Sequence, residues 1–169
     1  MSKIGTGTLT LTDNNTFSGG TTISGGAIIA GNASALGTGS ISLTGGGLVI
    51  GYDGTFSNSV LIANGASGFL GATSGTNATF AGPLQLSGDL RFGSATHNGT
   101  LTLSVGVPSL IAIASKTTIE GGTLRFGDSI MANFISAPGQ QGTPITIAAG
   151  ATLDINGFGT GLGNLVGAG

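Results

Sequence analysis

The chain has no cysteine and no tryptophan among its 169 residues, and only 6% of its residues are charged. The absence of cysteine excludes a thiol nucleophile, a cysteine-based zinc site and an iron–sulfur cluster. An average protein has about 25% charged residues. Four Lys and Arg residues and a net charge of −2 cannot supply the basic surface that nucleic-acid binding needs. We therefore expect no nucleic-acid partner.

Proline and long apolar runs are also scarce. The four prolines exclude collagen, which needs abundant proline and glycine at every third position. No apolar run reaches the ~18 residues that a membrane-spanning helix requires. The N-terminal stretch MSKIGTGTLTL lacks the basic and apolar regions of a signal peptide. We interpret residues 1–169 as a single segment excised from a longer protein, with any targeting sequence outside it.

Glycine and aliphatic residues are abundant instead. The chain contains 35 glycines, is 39% hydrophobic and has a mean hydropathy of +0.44, so it must bury a core and turn very often. Short Thr/Ile/Leu/Val-rich runs with rough alternation are each closed by Gly, Asn or Asp, which is typical of strands and turns. Sixteen strands are predicted: Thr8–Thr12, Thr21–Ser24, Ala27–Ala30, Ser40–Leu43, Leu48–Ile50, Ser59–Ala63, Gly68–Ala72, Ala78–Ala81, Leu84–Ser87, Leu90–Phe92, Thr100–Ser104, Leu110–Ser115, Thr117–Glu120, Thr123–Phe126, Ile145–Ala148 and Thr152–Asn156.

The runs repeat in content as well as in pattern. The string TTISGG at Thr21–Gly26 recurs as TTIEGG at Thr117–Gly122, and the stretch Thr79–Ser94 aligns with Thr16–Asn32. We interpret the recurrence at Thr117 as a second use of the same corner. The turn residues that define the repeat are predicted to be Gly19, Gly20, Gly25, Gly26, Gly31, Asn32, Gly121, Gly122, Gly127 and Asp128.

Many short strands fit either an antiparallel sandwich or barrel, or a β-solenoid in which each strand stacks on its copy one turn below. The solenoid is favoured by like residues at repeated positions and by breaks as short as Gly25-Gly26. The low aromatic content of 5% also suits a narrow core of stacked aliphatic side chains. We predict an all-β fold, a β-solenoid with about three short strands per coil.

The stretch Gly7–Leu48 closely resembles the passenger-associated transport repeat, also called the autotransporter-associated β-strand repeat. The resemblance rests on GTLTL, NTFSGGTTI, the following Gly-Gly pair and ALGTG, with Phe17 where the family usually has Tyr. It is weak between Val49 and Ala78, where the register stays open, and returns at Thr117–Gly169. The resemblance implies a right-handed parallel β-helix and a passenger of a Gram-negative type V secretion system. It implies secretion to the cell surface at the outer membrane, with the parent protein's own translocator β-barrel as partner.

Catalytic and metal-binding chemistry finds little support. The acids are Asp13, Asp53, Asp89, Glu120, Asp128 and Asp154; most are far apart, and Asp13, Asp53 and Asp89 suit turns. His97 has no evident Ser partner or orienting acid. Arg91 and Arg125 occupy matching LRFG strings, which we interpret as outward strand positions in preference to a basic ligand stripe. The glycine pairs lack the Gly-x-Asp that calcium-binding repeats need. We predict no enzyme activity, no cofactor and no metal.

The asparagines in N-x-T/S sequences, at Asn14, Asn32, Asn77 and Asn98, are interpreted as turn or stacking residues. The sequence thus favours a structural passenger segment that supports secretion and folding and acts as a stalk or scaffold. Two alternatives stay open. One is an adhesin surface that binds a glycan or a host matrix protein. The other is a fibre-forming solenoid that associates with itself through its end coils.

Overall fold

The structure, a computed structural model, describes residues 1–105, 110–111, 116–128, 145–158 and 165–167. Within these ranges the chain is all-β and contains no helix. The strands are β1 (Ser2–Lys3), β2 (Thr8–Leu11), β3 (Thr21–Ile23), β4 (Ala27–Ala30), β5 (Ile41–Leu43), β6 (Gly47–Ile50), β7 (Gly54–Phe56), β8 (Val60–Ile62), β9 (Ser67–Ala72), β10 (Asn77–Phe80), β11 (Leu84–Leu86), β12 (Asp89–Phe92), β13 (Thr100–Leu103), β14 (Leu110–Ile111), β15 (Thr117–Ile119), β16 (Thr123–Phe126), β17 (Ile145–Ile147), β18 (Thr152–Asp154) and β19 (Leu165–Gly167).

All sixteen predicted strands are present, with ends shifted by no more than two residues where both ends are described. Part of the predicted strand Leu110–Ser115 lies outside the described residues. The strands β1, β7 and β19 were not predicted. Strand β7 was missed because it begins at Gly54 directly after Asp53, a dipeptide that is typical of a turn.

The strands form three parallel sheets that run side by side along the molecule. In the described ranges, sheet A has the order β1-β3-β5-β8-β11-β14, sheet B the order β2-β4-β6-β9-β12-β15-β17-β19, and sheet C the order β7-β10-β13-β16-β18. Each strand pairs with the strands one turn before and after it on the same side. The predicted β-solenoid is confirmed, with about six turns. Its right-handed sense stays a prediction.

The coils become longer along the chain. In sheet B, Leu9 pairs with Ile28 after 19 residues and Ile28 pairs with Leu48 after 20. Phe92 pairs with Ile119 only after 27 residues. Because each strand must still stack on its copy below, the additional residues form loops between strands.

The first coils also have fewer strands than predicted. Sheet C has its first described strand at β7, so the coils before residue 51 contain two strands each. Their third side, residues 12–20 and 31–40, contains no strand. It still contributes to the core, because Ala35 and Leu36 are fully buried. Three strands per coil is therefore correct only from β7 onward.

The structure also gives the register that the sequence left open. In the stretch from Val49 to Ala78, Val49 pairs with Gly71 in sheet B and Thr55 pairs with Thr79 in sheet C. The pairing is continuous there, so this stretch stacks on its neighbours like the rest of the solenoid.

The core is a set of stacked columns that face inward from the three sheets. Sheet B contributes Leu9, Ile28, Leu48, Leu70, Phe92 and Ile119 in one column. Sheet C contributes Phe56, Phe80, Leu103 and Phe126 in another. The rings of Phe56 and Phe80 have centroids 5.9 Å apart and are tilted by 38°. Aliphatic stacking was expected throughout, but sheet C relies on phenylalanine for much of its bulk.

Candidate functional site

The two predicted Gly-Gly corners are the sharpest turns of the repeat. Gly26 has φ of +62° and Gly122 has φ of +67°, values that glycine adopts far more readily than other residues. A Cβ at Gly26 would overlap the carbonyl oxygen of Gly7. A Cβ at Gly122 would overlap that of Gly99. Both positions therefore need glycine for its backbone conformation and for close packing between neighbouring coils.

The prediction that both copies form the same corner is wrong. Gly25 and Gly26 join β3 in sheet A to β4 in sheet B, whereas Gly121 and Gly122 join β15 in sheet B to β16 in sheet C. The sequence repeat thus moves to the next side of the coil between its two copies. The physical reason is that a strand, a Gly-Gly corner and a second strand fit any corner at which two sheets meet. The lengths of the intervening loops decide which corner it is.

The same shift affects a second repeated string, while a third keeps its place. The string GTLTL contributes β2 to sheet B and β13 to sheet C. By contrast, the copy at Thr79–Ser94 places β11 in sheet A and β12 in sheet B. These are the sheets of β3 and β4, with which β11 and β12 align in sequence. Likeness in sequence therefore does not specify the side of the coil.

The other predicted turn residues also lie between strands. Gly19 and Gly20 precede β3, Gly31 and Asn32 follow β4, and Gly127 and Asp128 follow β16. The Asn32 side-chain amide donates a hydrogen bond to the Thr12 carbonyl in the preceding coil. This residue therefore connects two coils as well as ending a strand.

Two further asparagines, which sequence reasoning did not single out, also bridge coils. The Asn15 amide donates to the Ala35 carbonyl oxygen at 2.8 Å. The Asn58 amide donates to the carbonyl oxygens of Gly37 and Gly39 at 3.0 and 2.9 Å. These contacts satisfy backbone acceptors on the strandless third side, where no sheet is present to do so.

Arg91 and Arg125 both lie at outward positions of alternating strands, as predicted. They do not form one stripe, because Arg91 is in sheet B and Arg125 in sheet C. The Arg125 Nε donates to Asp154 Oδ2 at 2.7 Å. That hydrogen bond, with a second from the Asn156 backbone amide, lowers the pKa of the Asp154 carboxyl below its usual value. Arg91 is 3.7 Å from the Glu120 carboxylate.

A shallow groove of about 230 Å³ lies on the outer face of sheet B. We call it the charged groove; it is lined by Ser67, Asp89, Leu90, Arg91, Lys116, Thr118 and Glu120. Asp89 was predicted to be a turn residue, but it is the first residue of β12, and its carboxylate accepts a hydrogen bond from the Lys116 backbone N–H at 3.1 Å. Four charged side chains from three successive coils thus converge where the sequence had suggested isolated acids.

Sequence reasoning missed this groove because its residues are far apart in the chain. Ser67 pairs directly with Asp89, and Arg91 pairs with Thr118. The pattern that could have revealed it was a concentration of charge, since Asp89, Arg91, Lys116 and Glu120 are four of the ten charged residues. Assembling them required the register of β9, β12 and β15.

His97 has more partners than the sequence suggested. Its Nδ1 lies 3.2 Å from the Ser94 hydroxyl oxygen, so the prediction of no Ser partner is wrong. The Ser94 oxygen also accepts the backbone N–H groups of Thr96 and His97, an arrangement that builds a local turn. The His97 ring packs against Phe69 with centroids 5.5 Å apart, and burial lowers its pKa.

Two other features were sought in the part of the chain that the structure describes. No group of three or more His, Cys, Asp or Glu residues there has an arrangement that could hold a metal ion. No helix in the same ranges is long and apolar enough to cross a membrane.

Comparison with known proteins gives one match. Residues 1–30 match the family model of the Passenger-associated-transport-repeat, the family that the strings GTLTL and SGGTTISGG had indicated. No curated protein and no solved structure matches the chain significantly. The resemblance of Thr79–Ser94 and Thr117–Gly169 to the same repeat therefore stays a prediction. The first 30 residues of this chain belong to the passenger-associated transport repeat family.

Proposed function

We propose that the chain is a structural, non-enzymatic segment of a secreted autotransporter passenger, which supports folding at the surface of a Gram-negative bacterium and acts as a stalk. The observation that carries this proposal is the parallel stacking of sheet B across the described coils, together with the repeat match at residues 1–30. At ~4.8 Å per strand, about six turns extend about 30 Å.

The stacking suits a protein that folds after crossing a membrane as an extended chain. In a solenoid each coil contacts only its neighbours, so folding can nucleate at one end and proceed coil by coil. Without cysteine no disulfide forms in the periplasm to block passage. On this proposal the translocator β-barrel of the parent protein is the first partner that the segment meets.

Deletion of one coil in the full parent protein tests the proposal. Removal of residues 28–47 joins Ala27 to Leu48, which replaces Ile28 at the position with which it pairs. This variant should reach the cell surface as a shortened, protease-resistant passenger with somewhat lower stability. Removal of residues 28–37 is the matched control, because it takes out half a coil and interrupts stacking. Equal protease resistance of both variants would contradict a scaffold built by stacking.

Self-association through the end coils is a second candidate, favoured by the exposure of the outermost strand of sheet B. Leu9 and Leu11 of β2 are only half-buried, and the nearby Ile4 is 75% exposed. Lys3 stacks on the inward-facing Ile23 in sheet A, and an inward charge discourages pairing there. We propose that another coil covers the edge of sheet B, which for this chain alone means a second copy.

Sedimentation velocity over a hundredfold range of concentration tests this second candidate. The chain should form larger species as its concentration rises, and the double variant Leu9→Lys and Leu11→Lys should stay monomeric. Replacement of the outward Thr8 and Thr10 by Lys provides a control that adds the same charge without removing the apolar surface. A strictly monomeric parent chain at all concentrations would rule out this candidate.

A further inference from the structure

We propose that the charged groove on sheet B binds a carboxylated sugar, such as a uronic or sialic acid unit of a longer glycan. This site goes beyond the scaffold role and does not depend on it. The groove contains Ser67, Asp89, Arg91, Lys116, Thr118 and Glu120, so hydroxyl, carboxylate, guanidinium and ammonium groups face the same space.

Structural stabilisation does not account for this concentration of charge. The Arg91 and Glu120 side chains are 46% and 35% exposed and 3.7 Å apart. An ion pair of that exposure contributes only about 0–1 kcal/mol. In a chain with 6% charged residues, four charges in one place therefore point to a ligand, because folding gains little from them.

The arrangement of the groups specifies the chemistry of the ligand. The carboxylates of Asp89 and Glu120 are acceptors for the hydroxyl groups of a sugar ring. Among the described residues, the Lys116 side chain has no hydrogen-bond or ion-pair partner, so its ammonium group is available for a ligand carboxylate. Ser67 and Thr118 add hydroxyl groups that both donate and accept.

The dimensions of the groove also favour a small polar unit. Its volume of about 230 Å³ lies below the roughly 300 Å³ at which pockets for drug-sized ligands begin. Binding pockets for apolar ligands are lined by aromatic and aliphatic side chains, whereas the side chains here are mostly polar. A single sugar ring within a longer glycan fits this volume and this lining.

Titration of the full chain with defined oligosaccharides tests the proposal. Trigalacturonic acid and 3′-sialyllactose are the acidic probes, and neutral β-1,4-galactotriose is the comparison; binding is followed by amide chemical shifts and calorimetry. At least one acidic probe should bind and shift the amides of β9, β12 and β15, and the identity of that probe distinguishes uronic from sialic acid. No binding of either acidic probe, or equal binding of the neutral one, would overturn the proposal.

Two variants separate a built site from general charge attraction. Lys116→Gln should weaken binding of the acidic probe about tenfold, the loss expected for one hydrogen bond to a charged group. Arg125→Gln removes the same charge from sheet C and should change affinity less than twofold. Circular dichroism and thermal unfolding confirm that both variants fold. Equal weakening by the two substitutions would show that the groove itself does not bind the sugar.

Discussion

The first two coils and the coils around the charged groove are built by different means. Residues 1–50 form coils of 19–20 residues with two strands each, and asparagine side chains connect them on the third side. Residues 84–128 include a coil of 27 residues between Phe92 and Ile119, with strands in all three sheets. The short coils have only Lys3 and Asp13 as charged residues, whereas residues 84–128 have six.

The difference shows how one architecture separates support from recognition. Short coils have little chain beyond what stacking and turning require, so their sequence follows the repeat closely. Longer coils add loops, such as residues 93–99 between β12 and β13, that place polar groups outside the core. Loops on a rigid scaffold are the common location of binding residues. Four substitutions or conditions examine the comparison, beginning with the largest expected effect.

Phe80→Ala should cause the largest loss of stability, about 3–5 kcal/mol. Phe80 is fully buried and stacks on Phe56 and Leu103 in sheet C, so the cavity would open to both neighbouring coils. Leu36→Ala on the strandless third side is the control and should cost less, because a smaller side chain is lost. Urea denaturation measures both losses, and an equal or larger loss for Leu36→Ala would contradict a special role of the sheet C column.

Gly26→Ala and Gly122→Ala should each destabilise the chain by about 2–4 kcal/mol. The positive φ costs about 1–2 kcal/mol for a residue with a Cβ, and the overlap with a backbone oxygen adds about 1–3 kcal/mol. The two losses should be similar, although the two corners join different pairs of sheets.

Gly19→Ala serves as the matched control for these corner variants. A Cβ at Gly19 has no atom within 4 Å, so stability should change by less than about 0.5 kcal/mol. If the three variants lose equal stability in denaturant titrations, the corner argument is wrong.

Thr21→Val and Thr117→Val should each raise stability by about 1 kcal/mol. Both threonine hydroxyl groups are buried without a hydrogen-bond partner, and removing such a group recovers its desolvation cost. Thr22→Val, at an adjacent position that is less buried, is the control and should change little. A gain at only one of the two buried positions would show that the copies differ in their surroundings as well as in their sheet.

Acid should weaken the coils around His97 before it affects the first two coils. Burial lowers the pKa of His97 below its usual value of 6.5, so the folded state favours the neutral ring. The stabilising effect is complete above pH 6.5 and declines as pH falls through the lowered pKa. Hydrogen exchange at amides 93–99 between pH 8 and pH 5 measures this decline. In His97→Gln it should be absent, and an unchanged decline there would assign it to another group.

Strands and turns were predictable from sequence because they depend on local chemistry. The alternation in Thr100–Leu103 and the glycines at Gly25-Gly26 act within a few residues, so all sixteen predicted strands occur. Strand β7 was missed because Asp53 and Gly54 are typical of a turn. The repeat strings at the N-terminus were equally local, and the family match at residues 1–30 agrees with them.

The candidate site was not predictable in the same way. The sequence indicated separate acids and an isolated His97, whereas the structure brings Asp89, Lys116 and Glu120 to one groove and Ser94 to His97. Those residues meet because β12 pairs with β15, a relation that no local pattern specifies.

The sequence by itself determined that this chain forms short strands, turns sharply at glycine pairs, buries aliphatic columns and contains the transport repeat. Only the tertiary structure decided which side of the coil each strand occupies. The string TTI lies in sheet A at Thr21 and in sheet B at Thr117. The physical reason is that the side depends on the total length of all preceding loops, while a strand and its corner depend only on their own few residues.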